Sequence, residues 1–486
     1  MLTAAVLGYL LFTIGIGLYA ASRVHGAKDF MVAGRSLPLY MTFTCVFATW
    51  FGAETVLSVS ADFAKSGLQE IPGDPFGFSL CLVFVAVFFA RAFYRLDLLT
   101  IGDFYRKRYG KTVEVFTALV ITISYLGWAA AQLTALGLVL SVLGQGAGHA
   151  WLTLDRCIVI GAVVVMFYTV VGGMWSVALT DMIQTVVIII GLLIIAALLA
   201  SMAGSDGSIS SGVVKVYQSA SEAGRLQLFP SGGLRPWLAY IAGLLTAALG
   251  SIPQQDVFQR VTSAKDERTA VAGTLLGGGF YFLFAFVPMF IAYSAIVIDP
   301  SYLDIFNQAD EREMQRILPA LILDKTPFWA QAIFFGALVS AILSTASGTL
   351  LAPASLFVEN VLRPFSPQLN EKNMLGILRV VLIVFGLCAT VQAVSNNSTM
   401  YDMVQGAYSI VLVGAFIPLA MGVYWRPAST QGAMLSLLAG TGVWLVVLLA
   451  FPDFIVPPQL CGLAASLLGM LIGSLIPQFH TSTAKK

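Results

Sequence analysis

Apolar stretches long enough to cross a bilayer recur about 13 times along this 486-residue chain. Hydrophobic residues make up 58% of the sequence and charged residues only 10%, whereas a soluble domain carries about 25% charged residues. Backbone polar groups inside a bilayer must be paired within the protein, so such stretches fold as helices. The sequence therefore predicts an all-α polytopic membrane protein, embedded in the lipid bilayer, with about 13 transmembrane helices.

The composition also excludes several classes of function. A net charge of +1 leaves no basic surface large enough to neutralise a nucleic-acid backbone, so no nucleic-acid partner is expected. The five cysteines fall in or beside apolar stretches, and we interpret them as small membrane hydrophobes rather than a disulfide framework. The sequence contains neither a nucleophile–base pair nor paired metal-binding acids, so the chain is not expected to be an enzyme.

The distribution of basic residues predicts the orientation of the chain. With the N-terminus placed outside, most of the 26 Lys and Arg residues fall in cytoplasmic loops, as the positive-inside rule requires. We expect a multi-pass protein of a cell membrane, in bacteria the inner membrane, with its N-terminus outside and its C-terminus in the cytoplasm. The sequence does not set the oligomeric state, and a monomer is compatible with it.

Asp181 is an acidic residue in an otherwise apolar helix. About 20 apolar residues follow it almost without interruption, through Ala200. An ionisable side chain at membrane depth costs several kcal/mol without a partner and by default indicates a functional site. We therefore expect Asp181 to meet a positive charge, and the other polar positions of the chain indicate that this charge is sodium.

Two spans carry helix-breaking residues at matching positions. Residues 48–55 of the second span include a glycine and a carboxylate, and residues 250–256, five spans later, include Gly250 and Pro253. Proline removes a backbone donor and clashes with the preceding turn. A single such residue is commonly a packing kink, but two breaks at this offset predict inverted repeats with a binding site between them.

A hydroxyl-rich turn in the ninth span supplies a third element. Ser344, Thr345 and Ser347 lie within one turn, so their oxygens can share a face of the helix. Small hydroxyl residues also serve as packing surface between membrane helices. Beside Asp181 and an unwound segment that exposes carbonyls, they form an oxygen-rich set that suits a monovalent cation such as sodium.

The residues around Asp181 resemble the signature of the sodium:solute symporter family. The resemblance rests on Gly172-Gly173, Ser176-Val177, Thr180-Asp181 and Gln184, and it extends over most of the chain through Asp29-Phe30, Ala33-Gly34-Arg35, Phe258-Gln259-Arg260 and Ser344-Thr345. It implies a LeuT-type fold with two inverted five-helix repeats in a single transporter domain. Residues 38–203 and 204–424 would form the two repeats, with an extra helix in residues 1–37 and two C-terminal helices in residues 425–486.

The resemblance also implies a site for a co-transported sodium ion. Its expected members are the carbonyls of Ala48, Phe51 and Ala341, the hydroxyls of Ser344 and Thr345, and the supporting carboxylate of Asp181. Some family members bind a second sodium with that aspartate and further hydroxyls. Ser347 is present for such a site, but Gly348 leaves the set incomplete, so one sodium is expected and the second stays open.

The solute is expected to bind between the two breaks. The candidate contacts are Trp50, Glu54, Thr55, Gln254, Gln255 and Tyr408. Trp50 is similar to an aromatic residue of the choline branch, where a ring attracts a quaternary ammonium, but Gln254 replaces a second tryptophan of that branch. The aromatic cage is therefore expected to be half built.

Glu54 is the most informative of these candidates. A buried carboxylate beside the pocket favours a solute that carries an amine or many hydroxyls, and a hydrogen bond between helices is its alternative role. Asp62, Glu70 and Asp74, near the outer ends of the second and third spans, are interpreted as vestibule or loop charges.

Together these observations predict a sodium-coupled symporter that imports a small organic solute by alternating access. Sodium shifts the equilibrium between the outward-open and the other conformations because it binds the outward-open one more tightly. The alternatives are a proton-coupled transporter and a transporter-like solute sensor. All three histidines lie outside the predicted spans, which leaves only Asp181 and Glu54 for a proton relay.

Overall fold

The computed structural model describes residues 2–21, 27–146, 148–307, 314–366 and 371–478, so the C-terminal residues predicted to be cytoplasmic lie outside it. Within these ranges the chain is helical, and β structure is limited to one bridge between Leu37 and Ala264. The α-helices, numbered in chain order, are α1 (Leu2–Ala21), α2 (Ala27–Val32), α3 (Leu39–Trp50), α4 (Ser60–Ser66), α5 (Phe78–Phe84), α6 (Ala90–Arg95), α7 (Ile101–Tyr109), α8 (Lys111–Gly146), α9 (Leu154–Ala203), α10 (Ile209–Glu222), α11 (Leu234–Gly250), α12 (Gln255–Thr262), α13 (Glu267–Phe284), α14 (Phe286–Ile298), α15 (Ile317–Lys325), α16 (Phe328–Phe357), α17 (Glu371–Ser395), α18 (Met400–Val411), α19 (Ile417–Tyr424), α20 (Thr430–Ala450) and α21 (Pro458–Leu475).

The described helices fit a protein that crosses a membrane many times. Nine of them, taken with their continuations, are long and apolar enough to span, and the number reaches 11 if each of two bent pairs is counted as one span. The long helix α9 covers two of the predicted spans, which meet at Gly173, where φ is 56° and ψ is −157°. A side chain at Gly173 would place its Cβ 2.5 Å from the ring of Phe30, so this junction requires glycine. The total of 13 spans stays a prediction.

Both predicted helix breaks are present. α3 meets the π-helical segment Glu54–Val59 and α4 at an angle of 55°, and α11 meets α12 at 44°. At the first break Phe51 has φ −82° and ψ 76°, outside the helical region. The two bent pairs lie at the offset that the sequence predicts for the first helices of two inverted repeats.

The helix α16 lies at the centre of the molecule. It packs against α1, α3, α8, α9, α12 and α17, and 94% of its spanning segment is buried inside the protein. Its many Ala, Ser, Thr and Gly residues let neighbouring helices approach closely. By contrast, α20 and α21 pack mainly on each other and are only 22% buried, so the polar core forms around α16 and the two breaks.

Candidate functional site

The first break leaves a backbone carbonyl free to act as a ligand. The N–H of Gly52 bonds to the carbonyl of Trp50 at 3.0 Å instead of continuing the helical pattern to Ala48. The Ala48 carbonyl instead accepts hydrogen bonds from the hydroxyls of Ser344 at 3.4 Å and Thr345 at 3.2 Å. Two helices that are far apart in sequence, α3 and α16, therefore meet at this carbonyl.

Asp181 lies beside the same group of oxygens. Its Oδ1 accepts a short hydrogen bond from the Ser344 hydroxyl, and its Oδ2 has no hydrogen-bond partner among the described residues. The carboxylate is fully buried, with 0% of its surface exposed. An unpaired carboxylate oxygen, two hydroxyls and an unwound carbonyl form a hard-oxygen set of the kind that binds small cations.

The other predicted sodium ligands lie in the same buried region. Phe51 and Ala341 are 0% and 1% exposed, the first at the break and the second one turn before Thr345. The hydroxyl of Ser347 donates to the carbonyl of Ser344 at 2.9 Å, so its hydrogen bond stays within α16. The structure thus brings Ala48, Asp181, Ser344 and Thr345 together most directly.

Gly52 separates this oxygen cluster from the predicted solute contacts. A Cβ at this position would lie 2.5 Å from Oε2 of Glu54 and 2.9 Å from Oγ1 of Thr345. Both distances are shorter than a carbon–oxygen contact allows, so a larger residue would have to displace these two side chains. The sodium-site hydroxyl and the buried glutamate are therefore neighbours across one backbone segment.

We expect Gly52→Ala to weaken binding of both sodium and solute. The added methyl must push apart Glu54 and Thr345, and overpacking of this kind costs about 1–3 kcal/mol. Thermal unfolding of purified protein, titrated separately with sodium and with solute, measures both effects. Gly279→Ala is the matched control, because nothing lies within 4 Å of a Cβ there. Wild-type responses in Gly52→Ala would contradict this close approach.

Aromatic rings from four helical segments form a compact cluster next to Glu54. The ring of Trp50 lies 4.9 Å from Phe78, 6.0 Å from Trp128 and 5.9 Å from Tyr408, measured between centroids. Tyr408 in turn lies 5.5 Å from Phe78 and 5.6 Å from Trp128. We call Trp50, Phe78, Trp128 and Tyr408 the aromatic cage. All four rings are at most 2% exposed, so a ligand enters only when they separate.

Gln254 stands where the choline branch has a second tryptophan, and the expectation of an incomplete cage stays a prediction. Trp128 of α8, which is not among the predicted contacts, adds a ring to this cluster. The sequence contained a usable signal, because Tyr125, Trp128 and Gln132 have the spacing i, i+3, i+7 that places side chains on one face of a helix.

Glu54 is held by donors from that same face of α8. Trp128 Nε1 donates to Oε1 at 3.1 Å, and Gln132 Nε2 donates to Oε2 at 2.5 Å. Gln132 also accepts a hydrogen bond from the backbone N–H of Ala53 at 3.4 Å. Glu54 therefore connects two helices through hydrogen bonds, as its alternative role predicts. Its carboxylate also contacts the cage through Trp128, and no described basic side chain is bonded to it.

Asp74 is a correction to the sequence analysis, which placed it among the vestibule charges. It is 0% exposed and accepts hydrogen bonds from Tyr281 at 2.6 Å and from Thr55 at 2.7 Å. The hydroxyl of Thr55, a predicted solute contact, is thus engaged by Asp74 and Tyr281. This group links the first bent pair to α13.

The second break places its polar side chains on either side of α12. Gln254 donates from Nε2 to Ser124 at 3.2 Å, whereas Oε1 of Gln255 accepts from the N–H of Ile101 at 2.8 Å. Asp256, which the sequence analysis did not select, accepts a short hydrogen bond from Tyr125. Gln254 and Tyr125 lie on the cage side of the break, and Gln255 faces the segment before α7.

A cavity of about 440 Å³ lies against α18, the helix that carries Tyr408, and none of the four cage rings lines it. Glu70 and Arg235 are among its lining residues, and the interpretation of Glu70 as a vestibule charge stays a prediction. Tyr401 also lines the cavity and accepts a hydrogen bond from the N–H of Gly73 at 3.2 Å. This contact connects the cavity wall to the segment that carries the buried Asp74.

Comparison with known proteins gives a consistent result. The profile of the sodium:solute symporter family matches residues 30–440. High-affinity choline transporter 1 of Drosophila melanogaster is 29% identical over 457 residues, which cover 90% of this chain and 69% of that protein. High affinity choline transporter 1 of Homo sapiens is 26% identical over 467 residues, with coverage of 90% and 75%.

A solved structure confirms the fold. A Na+-coupled sialic acid symporter in a substrate-bound outward-open state superposes with a TM-score of 0.81 and 18% identity, and the match covers 97% of each chain. At this identity the likeness concerns the fold alone. The predicted all-α, LeuT-type architecture is confirmed.

Proposed function

Because the chain belongs to the sodium:solute symporter family, we propose that it couples sodium entry to the import of a small organic cation of the amine or quaternary ammonium class. Family membership makes it a multi-pass membrane transporter rather than an enzyme, and sodium is the co-transported ion. The solute class is carried by one observation, the closed aromatic cage backed by the carboxylate of Glu54.

The chemistry of the cage favours a cation over the other solute classes. A quaternary ammonium over a Trp or Tyr ring gains about 0.5–2 kcal/mol, and more when several rings enclose it. Glu54 adds a negative charge in a site from which water is excluded. A polyhydroxylated solute needs many free polar partners, whereas Trp128 and Gln132 already donate to Glu54. A monocarboxylate would meet repulsion from Glu54.

The relatives support the same class. High-affinity choline transporters of insect and human match 90% of the chain, and choline carries a quaternary ammonium group. The ring contacts of Trp50 with Trp128 and Tyr408 in this chain support that class as well.

The first break supplies a physical route for coupling. Sodium bound by the Ala48 carbonyl, Ser344 and Thr345 would fix α3 against α16. The next residues along α3 and its break carry Trp50 and Glu54, which face the solute. A sodium ion that orders this segment lowers the free-energy cost of forming the solute site and so raises solute affinity. By thermodynamic linkage, bound solute raises sodium affinity by the same factor.

The remaining features of the proposal concern topology. Residues 38–203 and 204–424 act as two inverted repeats of one transporter domain, with the N-terminus outside and the C-terminus in the cytoplasm of a bacterial cell. The cavity of about 440 Å³ then faces outward, because residues 230, 235, 401 and 452 that line it belong to segments that this orientation places outside. Import runs from this cavity to the cytoplasm.

Thermal unfolding of the detergent-purified protein with a panel of ligands tests the solute class. The panel contains choline, betaine, proline, galactose, sialic acid and acetate, each in sodium and in potassium. A ligand at about 100 times its dissociation constant adds roughly 2.7 kcal/mol of stability. We expect a shift with choline that appears only in sodium. A sodium-dependent shift with galactose or acetate, and none with choline, would overturn the proposed class.

We expect Glu54→Gln to weaken binding of a cationic solute by about 100-fold. A carboxylate about 6 Å from a cation contributes roughly 3 kcal/mol at an effective dielectric constant near 20, and the amide retains the shape but not the charge. Solute affinity in saturating sodium measures the effect. The matched control is Glu70→Gln, which removes a carboxylate from the cavity wall; equal losses in both variants would mean that Glu54 acts only through long-range attraction.

A further inference from the structure

Arg260 is a cation buried in the polar core. It belongs to α12, directly after the second break, and only 2% of its surface is exposed. Its Nε donates to Oγ1 of Thr49 at 2.9 Å, and Nη1 lies 3.7 Å from the sulfur of Met174. A hydroxyl and a thioether do not neutralise a guanidinium, and burying a charge without a counter-charge is costly.

Gly348 makes room for this guanidinium on the sodium-site helix. A Cβ at Gly348 would lie 2.8 Å from Nη2 of Arg260, so any other residue would displace it. Gly348 follows Ser344 by four positions and Thr345 by three, which places all three on one face of α16. The guanidinium therefore lies one turn away from the hydroxyls that meet Ala48.

Two buried carboxylates, those of Asp181 and Asp256, interact electrostatically with Arg260. Asp256 precedes Arg260 by one turn of α12, and one of its oxygens is engaged by Tyr125. Asp181 is connected through α16, because Nη2 of Arg260 lies against Gly348 and Ser344, one turn earlier on that helix, donates to Asp181. The guanidinium is therefore shared between two carboxylates, of which Asp181 also belongs to the oxygen cluster.

We propose that Arg260 is a fixed internal cation that takes the place of a second sodium ion beside Asp181, so that the protein binds a single sodium. This rests on the proposed sodium site at Ala48, Ser344 and Thr345. Two arrangements support it: Gly348 has no hydroxyl to offer a second ion, and the hydroxyl of Ser347 bonds back to Ser344. A second sodium would also add a third positive charge around one carboxylate.

The arrangement has a consequence for sodium affinity. Arg260 and the ion share the field of Asp181, so the guanidinium weakens sodium binding by repulsion. A purely structural arginine would have the opposite effect, because its loss would loosen the site. Removing the charge is therefore expected to lower the sodium concentration at half-saturation, by roughly tenfold at the dielectric constant of a protein interior.

Equilibrium binding of ²²Na+ to the purified protein, with no solute present, tests the proposal. We expect the wild type to bind one sodium ion per protein molecule with a Hill slope near one. Arg260→Gln should bind sodium about tenfold more tightly, and Arg260→Gln combined with Gly348→Ser should bind two ions, because it adds a hydroxyl where the guanidinium was. Arg260→Lys keeps the charge and should bind one.

Several outcomes would overturn the proposal. Two ions bound to the wild type would do so without any variant, so the test does not depend on whether the double variant folds. A folded double variant that still binds one ion, or weaker sodium binding in Arg260→Gln, would also contradict it. The control is Arg108→Gln, since the hydrogen bonds of Arg108 to the described residues go to backbone carbonyls such as that of Gly422. A failure of choline to bind would count against the proposed solute class, but it would not affect the measured number of sodium ions bound per protein molecule.

Discussion

Replacing Ser344 and Thr345 together by alanine is expected to raise the sodium concentration for half-maximal solute uptake by about 100-fold. Each substitution removes one oxygen ligand of the ion, which costs about 1.5 kcal/mol for a hydrogen-bond-like contact to a charge. The two losses together correspond to about two orders of magnitude in sodium affinity. Asp181→Asn is expected to act in the same direction, since it removes the negative charge that supports the ion. Uptake by proteoliposomes over a range of sodium concentrations measures the change.

The control for this prediction lies on the same helix. The hydroxyl of Thr349 bonds to the carbonyl of Ala346 at 2.9 Å and has no contact with Ala48, so Thr349→Ala should keep the wild-type sodium dependence. If Ser344→Ala/Thr345→Ala and Asp181→Asn both retain that dependence as well, the ion binds elsewhere and the assignment of this site is wrong.

The second large effect is expected at Trp128. Trp128→Ala removes a ring of the cage, which contributes about 2 kcal/mol to binding of a desolvated cation. It also leaves Oε1 of Glu54 without its hydrogen-bond donor, at a cost of about 1 kcal/mol. Solute affinity should therefore fall by about 100-fold, whereas sodium binding without solute should change little. Ligand-dependent thermal unfolding, with each ligand titrated separately, distinguishes the two.

Two further variants sharpen this result. Trp128→Phe restores a ring but not the N–H donor, so it should lose less affinity than Trp128→Ala. Trp237, which stacks on Phe229 outside the cage, provides the control Trp237→Ala with wild-type affinity. Equal loss of sodium and solute binding in Trp128→Ala would instead indicate that Trp128 supports the packing of the whole core.

Much of the architecture could be predicted because its signals are local. Hydropathy depends on short windows, and the breaks at Gly52 and Pro253 are visible as residues that helices tolerate poorly. Asp181 stands out because a carboxylate in an apolar helix is rare. These features identify the helices that carry the candidate site and the segments where the backbone departs from helical geometry.

The partners across the core could not be predicted in the same way. Trp128 shares a helix face with Tyr125 and Gln132, but that spacing does not say which residues the face meets. Its contacts with Trp50 and Glu54 are visible only in the folded structure. Asp74 lies between two prolines in a stretch that resembles a loop, yet its contacts with Tyr281 and Thr55 keep it buried. The fit of Arg260 against Gly348 joins residues from different spans, and only the folded structure brings them together.

Sodium-driven uptake by proteoliposomes that contain the purified protein tests the central claim most directly. Labelled choline is supplied outside with an inward sodium gradient, or with potassium in its place. The account predicts that choline accumulates above its external concentration only with the sodium gradient, and that collapsing the gradient releases it. Uptake that is the same in sodium and potassium, from a preparation whose thermal unfolding shows that it binds choline, would contradict sodium coupling through this site.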